Sequence, residues 1–188
     1  MRLFVALTVA TLPCVGAPVR AAENLDCVDS GYNAPDQARF GSFVKGFDLV
    51  AWAAQGPPAD IMQILTTRVS DCAKSNGWSE AAARYAMAFK MARVGLAGAE
   101  GSGLLNANDL AALRKSITPA DFEKGKFLFG QMSAAHRSGA KMPSESPDMF
   151  VGRLIMRSGV PAERATAAGA WIGATIMSTH FAELFGAA

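Results

Sequence analysis

Apolar residues recur every three to four positions along most of the chain after residue 34, which is the spacing of amphipathic α-helices. In residues 35–55, for example, Phe40, Phe43, Val44 and Phe47 form one apolar stripe, and Pro35 suits the first turn of a helix. We find no segment that alternates apolar and polar residues between hairpin turns, as a half-buried β-strand would. The pattern therefore predicts an all-α protein.

Clusters of Gly, Pro, Asn and Ser divide the chain into about seven predicted helices. These helices cover approximately residues 35–55, 59–76, 79–96, 108–117, 118–138, 146–158 and 161–185. The third is apolar on more than one side, so we expect it to be central, and residues 98–103, which are rich in glycine, predict a flexible break after it. The sequence thus predicts a single compact all-α domain, orthogonal or bundle-like.

The first 22 residues have the composition of a secretory signal peptide. Arg2 supplies the positive charge, residues 3–17 are mainly apolar, and small residues follow at a cleavage site beside Ala22. The alternative is an uncleaved membrane anchor, but the apolar run is shorter than the roughly 20 residues of a span, and Pro13 interrupts it. We therefore predict a signal peptide over 1–22 and one helical domain over 23–188, with an irregular arm at 23–34, in a periplasmic or secreted protein.

Two of the three cysteines, Cys27 and Cys72, remain after the leader is removed with Cys14. An even number of cysteines in an exported protein predicts a structural disulfide, here between Cys27 and Cys72. The alternatives are two buried free thiols or a redox pair, although a redox pair usually has the much closer Cys-x-x-Cys spacing.

Charge and composition exclude several classes of function. Hydrophobic residues make up 51% of the chain, which excludes an intrinsically disordered protein. The whole chain has 18 Lys+Arg and 16 Asp+Glu, and loss of Arg2 and Arg20 with the leader leaves 16 of each. A formal charge of zero gives no electrostatic basis for binding nucleic acid or an anionic membrane.

The last predicted helix carries no formal charge over residues 165–182, so a membrane span is one alternative for it. Several Thr, Ser and His residues interrupt this segment, and small residues at Ala165, Gly169 and Gly173 favour close packing of helices. We expect a buried helix, and no integral membrane segment after cleavage.

The motifs of common catalytic and cofactor sites are incomplete in this chain. Residues 98–103 lack the Lys-Ser/Thr of a phosphate-binding loop, and a calcium loop centred on Gly31 would lack essential ligands. Residues 138–141 match Ser-x-x-Lys only at the end of a predicted helix, and no Gly-x-Ser-x-Gly occurs. The sequence predicts no cofactor, no metal and no catalytic residue.

His136 and His180 are the only histidines and the two candidates for a polar site. Each continues an apolar helix face, with Met132 or Met177 within one turn, so one hypothesis is a soft Met/His copper site. The alternative is a pair of hydrogen-bonded histidines among methionines that fill gaps in the core.

Two functions from different classes remain after these exclusions. The first is a non-catalytic binding module in the bacterial envelope, whose partner is a protein, a peptide or an envelope component and whose Met and Phe residues line a groove for a peptide or lipid. The alternative is a small exported helical hydrolase or isomerase whose polar groups converge only in space. A polar pocket at the histidines would favour the enzyme, whereas an apolar surface elsewhere would favour the binding module.

Overall fold

A computed structural model describes residues 22–138 and 145–188, apart from the side chains of residues 133 and 136–138. The predicted signal peptide therefore lies outside the described residues, except for Ala22. Within the described ranges the chain forms eight α-helices, two short 3₁₀ helices and no strand, in one compact all-α domain. The 3₁₀ helices are Leu25–Asp29 and Ala162–Arg164; the α-helices are α1 (Ala34–Lys45), α2 (Leu49–Gln55), α3 (Ala59–Asn76), α4 (Glu80–Gly101), α5 (Ala107–Ser116), α6 (Pro119–Ser138), α7 (Pro147–Ser158) and α8 (Ala165–Gly186).

Helices α4 and α8 pack against each other along most of their length at the centre of the fold. Contacts at both ends show that they run in opposite directions. Trp78, just before α4, packs edge-on against Phe185 near the end of α8, with ring centroids 4.8 Å apart. At the other end, the indole of Trp171 donates a hydrogen bond of 2.8 Å to Glu100. The central position expected for the third predicted helix is confirmed for α4.

The first predicted helix is divided into α1 and α2, which is the main difference in the helix boundaries. Gly46 ends α1, and the Asp48 carboxylate accepts hydrogen bonds from the backbone N–H groups of Val50 and Ala51 at the start of α2. Phe47 lies between the two helices with only 6% of its surface exposed. The apolar stripe continues through the break because the turn itself buries Phe47.

The predicted break at residues 98–103 is wrong in its first half, because α4 continues to Gly101. A Cβ on Gly98 would lie 2.3 Å from a ring carbon of Phe47, and one on Gly101 would lie 2.3 Å from Val44 Cγ1. These glycines therefore allow α1 and the turn after it to approach α4, and they do not act as a hinge.

The predicted disulfide joins Cys27 to Cys72 and thereby attaches the N-terminal arm to α3. Cys72 and Val28 are fully buried beside this link, and the arm, expected to be irregular, contains the first 3₁₀ helix. The Arg68 guanidinium of α3 donates to the Cys27 carbonyl at 2.8 and 3.0 Å. The arm is thus fixed by a covalent bond, by apolar burial and by a charged donor.

None of the helices within the described ranges combines the length and the apolarity that crossing a membrane requires.

Candidate functional site

A surface groove of about 460 Å³ lies where α2 meets the central α4–α8 pair. We call it the apolar groove; its lining residues are Leu49, Trp52, Ala53, Ala88, Met91, Ala92, Gly95, Ala170, Ala174, Met177 and Phe181. The volume is within the range of roughly 300–1,000 Å³ that is usual for ligand sites. All but two of these residues are half-buried, so the groove is open to solvent along its length.

Helical periodicity explains why these residues share a surface. Ala88, Ala92 and Gly95 occupy one face of α4, and Ala170 and Ala174 occupy the facing stripe of α8. Small side chains at these positions leave space between the helices and α2, which larger residues would fill. The groove therefore follows directly from the alanine and glycine spacing on α4 and α8.

Trp52 forms the α2 side of the apolar groove and is held by packing on three sides. A Cβ on Gly95 would lie 3.2 Å from the Trp52 ring, so this glycine allows the indole to approach α4 closely. The rings of Phe43 and Phe47 lie 5.9 and 5.6 Å from the indole, centroid to centroid. The indole is therefore a pre-positioned wall rather than a freely rotating side chain.

The lining of the apolar groove is almost free of polar side-chain groups. No lining side chain is titratable, and the Trp52 indole N–H is the one side-chain hydrogen-bond donor among the eleven lining residues. Met91 and Met177 bring flexible, polarisable side chains that adapt to the shape of a ligand. The groove thus offers apolar contact area and no group for acid–base or nucleophilic chemistry.

His180 lies half-buried on α8, next to Phe181 of the apolar groove but outside its lining. Burial lowers the pKa of its imidazole; nearby Glu183 raises that pKa and Lys126 lowers it further. Lys126 itself donates to both carboxylate oxygens of Glu183, at 2.6 and 2.8 Å. The charged groups nearest His180 therefore pair with each other.

The backbone places His136 far from His180, and the His136 side chain is outside the described part of the structure. Gly125 of α6 packs on Ile176 of α8, and a phenylalanine one turn further along α6 approaches Gly173. From that crossing α6 runs away from the His180 end of α8. His136 lies eleven residues beyond Gly125, about 16 Å along the helix. The structure thus does not bring the two histidines together.

A metal centre has no ligand cluster in the residues that the structure describes. Groups of three or more His, Cys, Asp or Glu side chains placed to hold an ion are absent from those residues. Met177, which the copper hypothesis paired with His180, lines the apolar groove.

Several carboxylates outside the lining of the apolar groove are engaged in ion pairs. Glu145 binds Lys124 at 2.7 Å and also Arg153, and these hydrogen bonds hold the pKa of Glu145 below its ordinary value. Asp109, only 7% exposed, pairs with Arg164 at 2.7 Å. These acids act as structural links between helices.

Asp121 forms a third such link at the start of α6. Burial raises its pKa, but hydrogen bonds from Thr118 and Arg157 outweigh this effect and hold the pKa below its ordinary value. The Thr118 hydroxyl donates to the Asp121 carboxylate at 2.7 Å, and the backbone N–H of Asp121 donates back to that hydroxyl at 3.3 Å. The carboxylate thus joins α6 to Arg157 of α7.

Composition alone does not locate the apolar groove, because its residues come from three helices that are distant in sequence. The available signal is the Ala-x-x-x-Ala spacing that occurs on both partner helices, at residues 88–92 and 170–174. Comparison of the chain with protein-family models, with curated proteins and with solved structures finds no match. The functional inference therefore rests on the geometry of this chain.

Proposed function

We propose that the protein is a non-catalytic binding module whose apolar groove holds an apolar helical segment of a partner polypeptide. One observation carries the proposal: an open groove of about 460 Å³ whose eleven lining residues are all apolar. Grooves of this kind between helices accept the apolar face of an amphipathic helix. Met91, Met177 and Phe181 are the Met and Phe side chains that line this groove.

The dimensions of the apolar groove favour a helix over an extended acyl chain. Its α8 side extends from Ala170 to Phe181, about 16 Å or three helical turns. Alanine and glycine on both central helices allow another helix to approach closely, whereas an acyl chain in so open a groove would keep much of its surface in water. Four apolar side chains at positions i, i+4, i+7 and i+11 span the same three turns, because eleven residues of helix rise about 16 Å.

The expected affinity is modest. Four leucine-sized anchors gain about 1.5–3 kcal/mol each when they are buried, whereas association alone costs at least about 4 kcal/mol. The remaining free energy corresponds to a dissociation constant no tighter than micromolar.

We also propose that this binding occurs outside the cytoplasm, in the bacterial envelope or the medium. The Cys27–Cys72 disulfide supports this location because such bonds persist in oxidising compartments, and the apolar run at residues 3–17 is typical of a cleaved leader. N-terminal sequencing of the native protein tests it. A start at Ala22 or Glu23 is expected, and a native chain that begins at Met1 would contradict export with cleavage.

Two adjacent alanines on α2 provide a matched test of the apolar groove. Both are exposed on the same helix, but Ala53 lines the groove and Ala54 is not among its lining residues. Ala53→Glu brings a charge into the apolar contact, and Ala54→Glu introduces the same charge nearby, so both variants should fold normally. The probe is a peptide of about 14 residues with leucine at helical spacing, titrated by calorimetry.

The proposal predicts that Ala53→Glu weakens binding of the peptide at least tenfold and that Ala54→Glu changes it less than twofold, because only the first desolvates a carboxylate. A scrambled peptide of the same composition should not bind. Equal effects of the two variants, or saturable binding of 1-decanol in place of the peptide, would overturn the proposal.

A further inference from the structure

A second pocket, of about 320 Å³, lies on the opposite face of α4 from the apolar groove. We call it the arm pocket because the N-terminal arm, α1 and α4 enclose it; its lining residues are Asp29, Tyr32, Gln37, Phe40, Val44, Lys90, Arg93, Val94 and Ala97. Unlike the apolar groove, it combines charged groups on one side with aliphatic and aromatic surface on the other.

The Lys90 ammonium already has two partners within the arm pocket. Its ammonium donates to Asp29 Oδ1 at 2.7 Å and lies 5.2 Å from the centroid of the Tyr32 ring. Only 12% of the Lys90 side chain is exposed, so these two contacts replace most of its hydration. The Lys90–Asp29 pair is therefore part of the wall, with its charges compensated.

Arg93 is the second cation of the arm pocket. Its Nε lies 3.9 Å from Asp29 Oδ2, which is too long for a hydrogen bond, and half of its side chain is exposed. Within the described ranges the guanidinium has no hydrogen-bond partner, so its N–H donors face solvent at the rim. Two cations against one carboxylate leave the lining with one surplus positive charge.

Each neutral polar side chain of the arm pocket already makes one hydrogen bond to the backbone. The Tyr32 hydroxyl donates to the Val28 carbonyl at 2.7 Å, and the Gln37 amide donates to the Tyr32 carbonyl at 2.8 Å. Burial and the nearby Asp29 charge raise the pKa of Tyr32 to about 12, so the ring stays neutral. Recognition is thus left to the Arg93 guanidinium and to the apolar side of the pocket.

The apolar side consists of Phe40, Val44 and Val94, with Ala97 at its edge. The Phe40 ring is fixed by a T-shaped contact with Tyr32, centroid to centroid 5.2 Å. This surface accepts an aliphatic or aromatic body, whereas the surplus positive charge repels a metal ion or an ammonium group.

We propose that the arm pocket binds a small organic monoanion, a carboxylate on an aliphatic or aromatic body, with the carboxylate on Arg93 and the body against Phe40, Val44 and Val94. A guanidinium pairs with a carboxylate through two parallel hydrogen bonds, and a single negative charge neutralises the single surplus positive one. This site is independent of the apolar groove and uses the other face of α4.

Octanoate is the probe, with 1-octanol and octylammonium as charge controls of the same chain length. The variants are Arg93→Gln and Arg84→Gln, both on α4; Arg84 is exposed and paired with Glu80 outside the pocket. Affinities are measured by calorimetry, and the site is mapped from the amide chemical shifts of the full chain.

We expect Arg93→Gln to weaken the binding of octanoate at least tenfold, because a charge-assisted hydrogen bond is lost. Arg84→Gln should change the affinity for octanoate less than twofold. Octanol and octylammonium should each bind at least tenfold more weakly than octanoate. No binding of octanoate at millimolar concentration, equal binding of octanol, or a loss caused by Ala53→Glu and not by Arg93→Gln would each overturn the proposal.

Discussion

Replacing Gly98 by alanine tests the close packing between α4 and the turn that separates α1 from α2. In an ordinary helix interior this change stabilises the protein by about 0.5–1 kcal/mol, since alanine loses less backbone entropy than glycine. At Gly98, however, the new Cβ would lie 2.3 Å from Cδ2 and 2.5 Å from Cγ of the Phe47 ring. These atoms belong to a buried side chain close to its backbone attachment, so the ring or the helix has to move.

The magnitude follows from two opposing terms. Overpacking of a buried site costs about 1–3 kcal/mol, and the gain in helix propensity offsets up to about 1 kcal/mol. We therefore expect Gly98→Ala to lower the free energy of unfolding by up to about 2 kcal/mol. The matched control is Gly152→Ala in α7, where a Cβ would meet nothing within 4 Å, and there the same change should stabilise by up to about 1 kcal/mol.

Urea unfolding followed by far-UV circular dichroism measures both variants, with equal m-values required for the comparison. A double-mutant cycle with Phe47→Leu then isolates the contact, because the penalty of Gly98→Ala should shrink when the ring is removed. If Gly98→Ala stabilised the protein as much as Gly152→Ala, the proposed approach of Phe47 to α4 would be refuted.

Three further changes probe the arm and the titratable groups. Reduction of the Cys27–Cys72 disulfide should lower the free energy of unfolding by up to about 4 kcal/mol, measured as a lower urea midpoint in the presence of reductant. An unchanged midpoint would contradict a stabilising role for this bond. The pKa of Asp121 is lowered in the folded state, so its ionised carboxylate stabilises the fold above pH 4, and this stabilisation is lost as the pH falls through the folded pKa. Asp121→Asn should therefore reduce the loss of stability at acidic pH, and an unchanged loss would contradict this. The pKa of His180 should lie below 6.5 in an NMR titration, and stability linked to it should fall as pH drops below 6.5; a pKa above 6.5 would contradict its burial.

Local patterns predicted the helices because the signals for them lie within each segment. Ser79, Thr118 and Ser146 precede helices, and each accepts a hydrogen bond from a backbone N–H in the first turn. The number of cysteines left after leader removal similarly predicted the disulfide without any knowledge of distances. Helical periodicity and capping are therefore readable from short windows of sequence.

The meaning of glycine, in contrast, depends on the partner it faces. Gly46 ends α1, whereas Gly98 lies within α4, so a glycine by itself does not mark the end of a helix. The difference arises because Phe47 packs onto Gly98, a contact between residues about fifty positions apart. Sequence alone therefore predicted a continuous first helix and a break in α4, and both boundaries were wrong.

The candidate site was the least predictable feature for the same reason. The apolar groove is formed by three helices, and the arm pocket depends on where the disulfide places Asp29 and Tyr32 against α4. The sequence directed attention to the two histidines because they are rare and chemically versatile. The structure places the backbones of the two histidines apart. The apolar groove is lined by residues without titratable side chains.

The natural methionines allow the most direct measurement of where a ligand binds. Met91 and Met177 line the apolar groove, whereas Met149 and Met156 are 61% and 76% exposed on α7. With ¹³C-methyl-labelled methionine, titration with the amphipathic peptide should shift the Met91 and Met177 signals and leave those of Met149 and Met156 in place. Shifts confined to Met149 and Met156, with Met91 and Met177 unmoved at saturation, would contradict binding in the apolar groove.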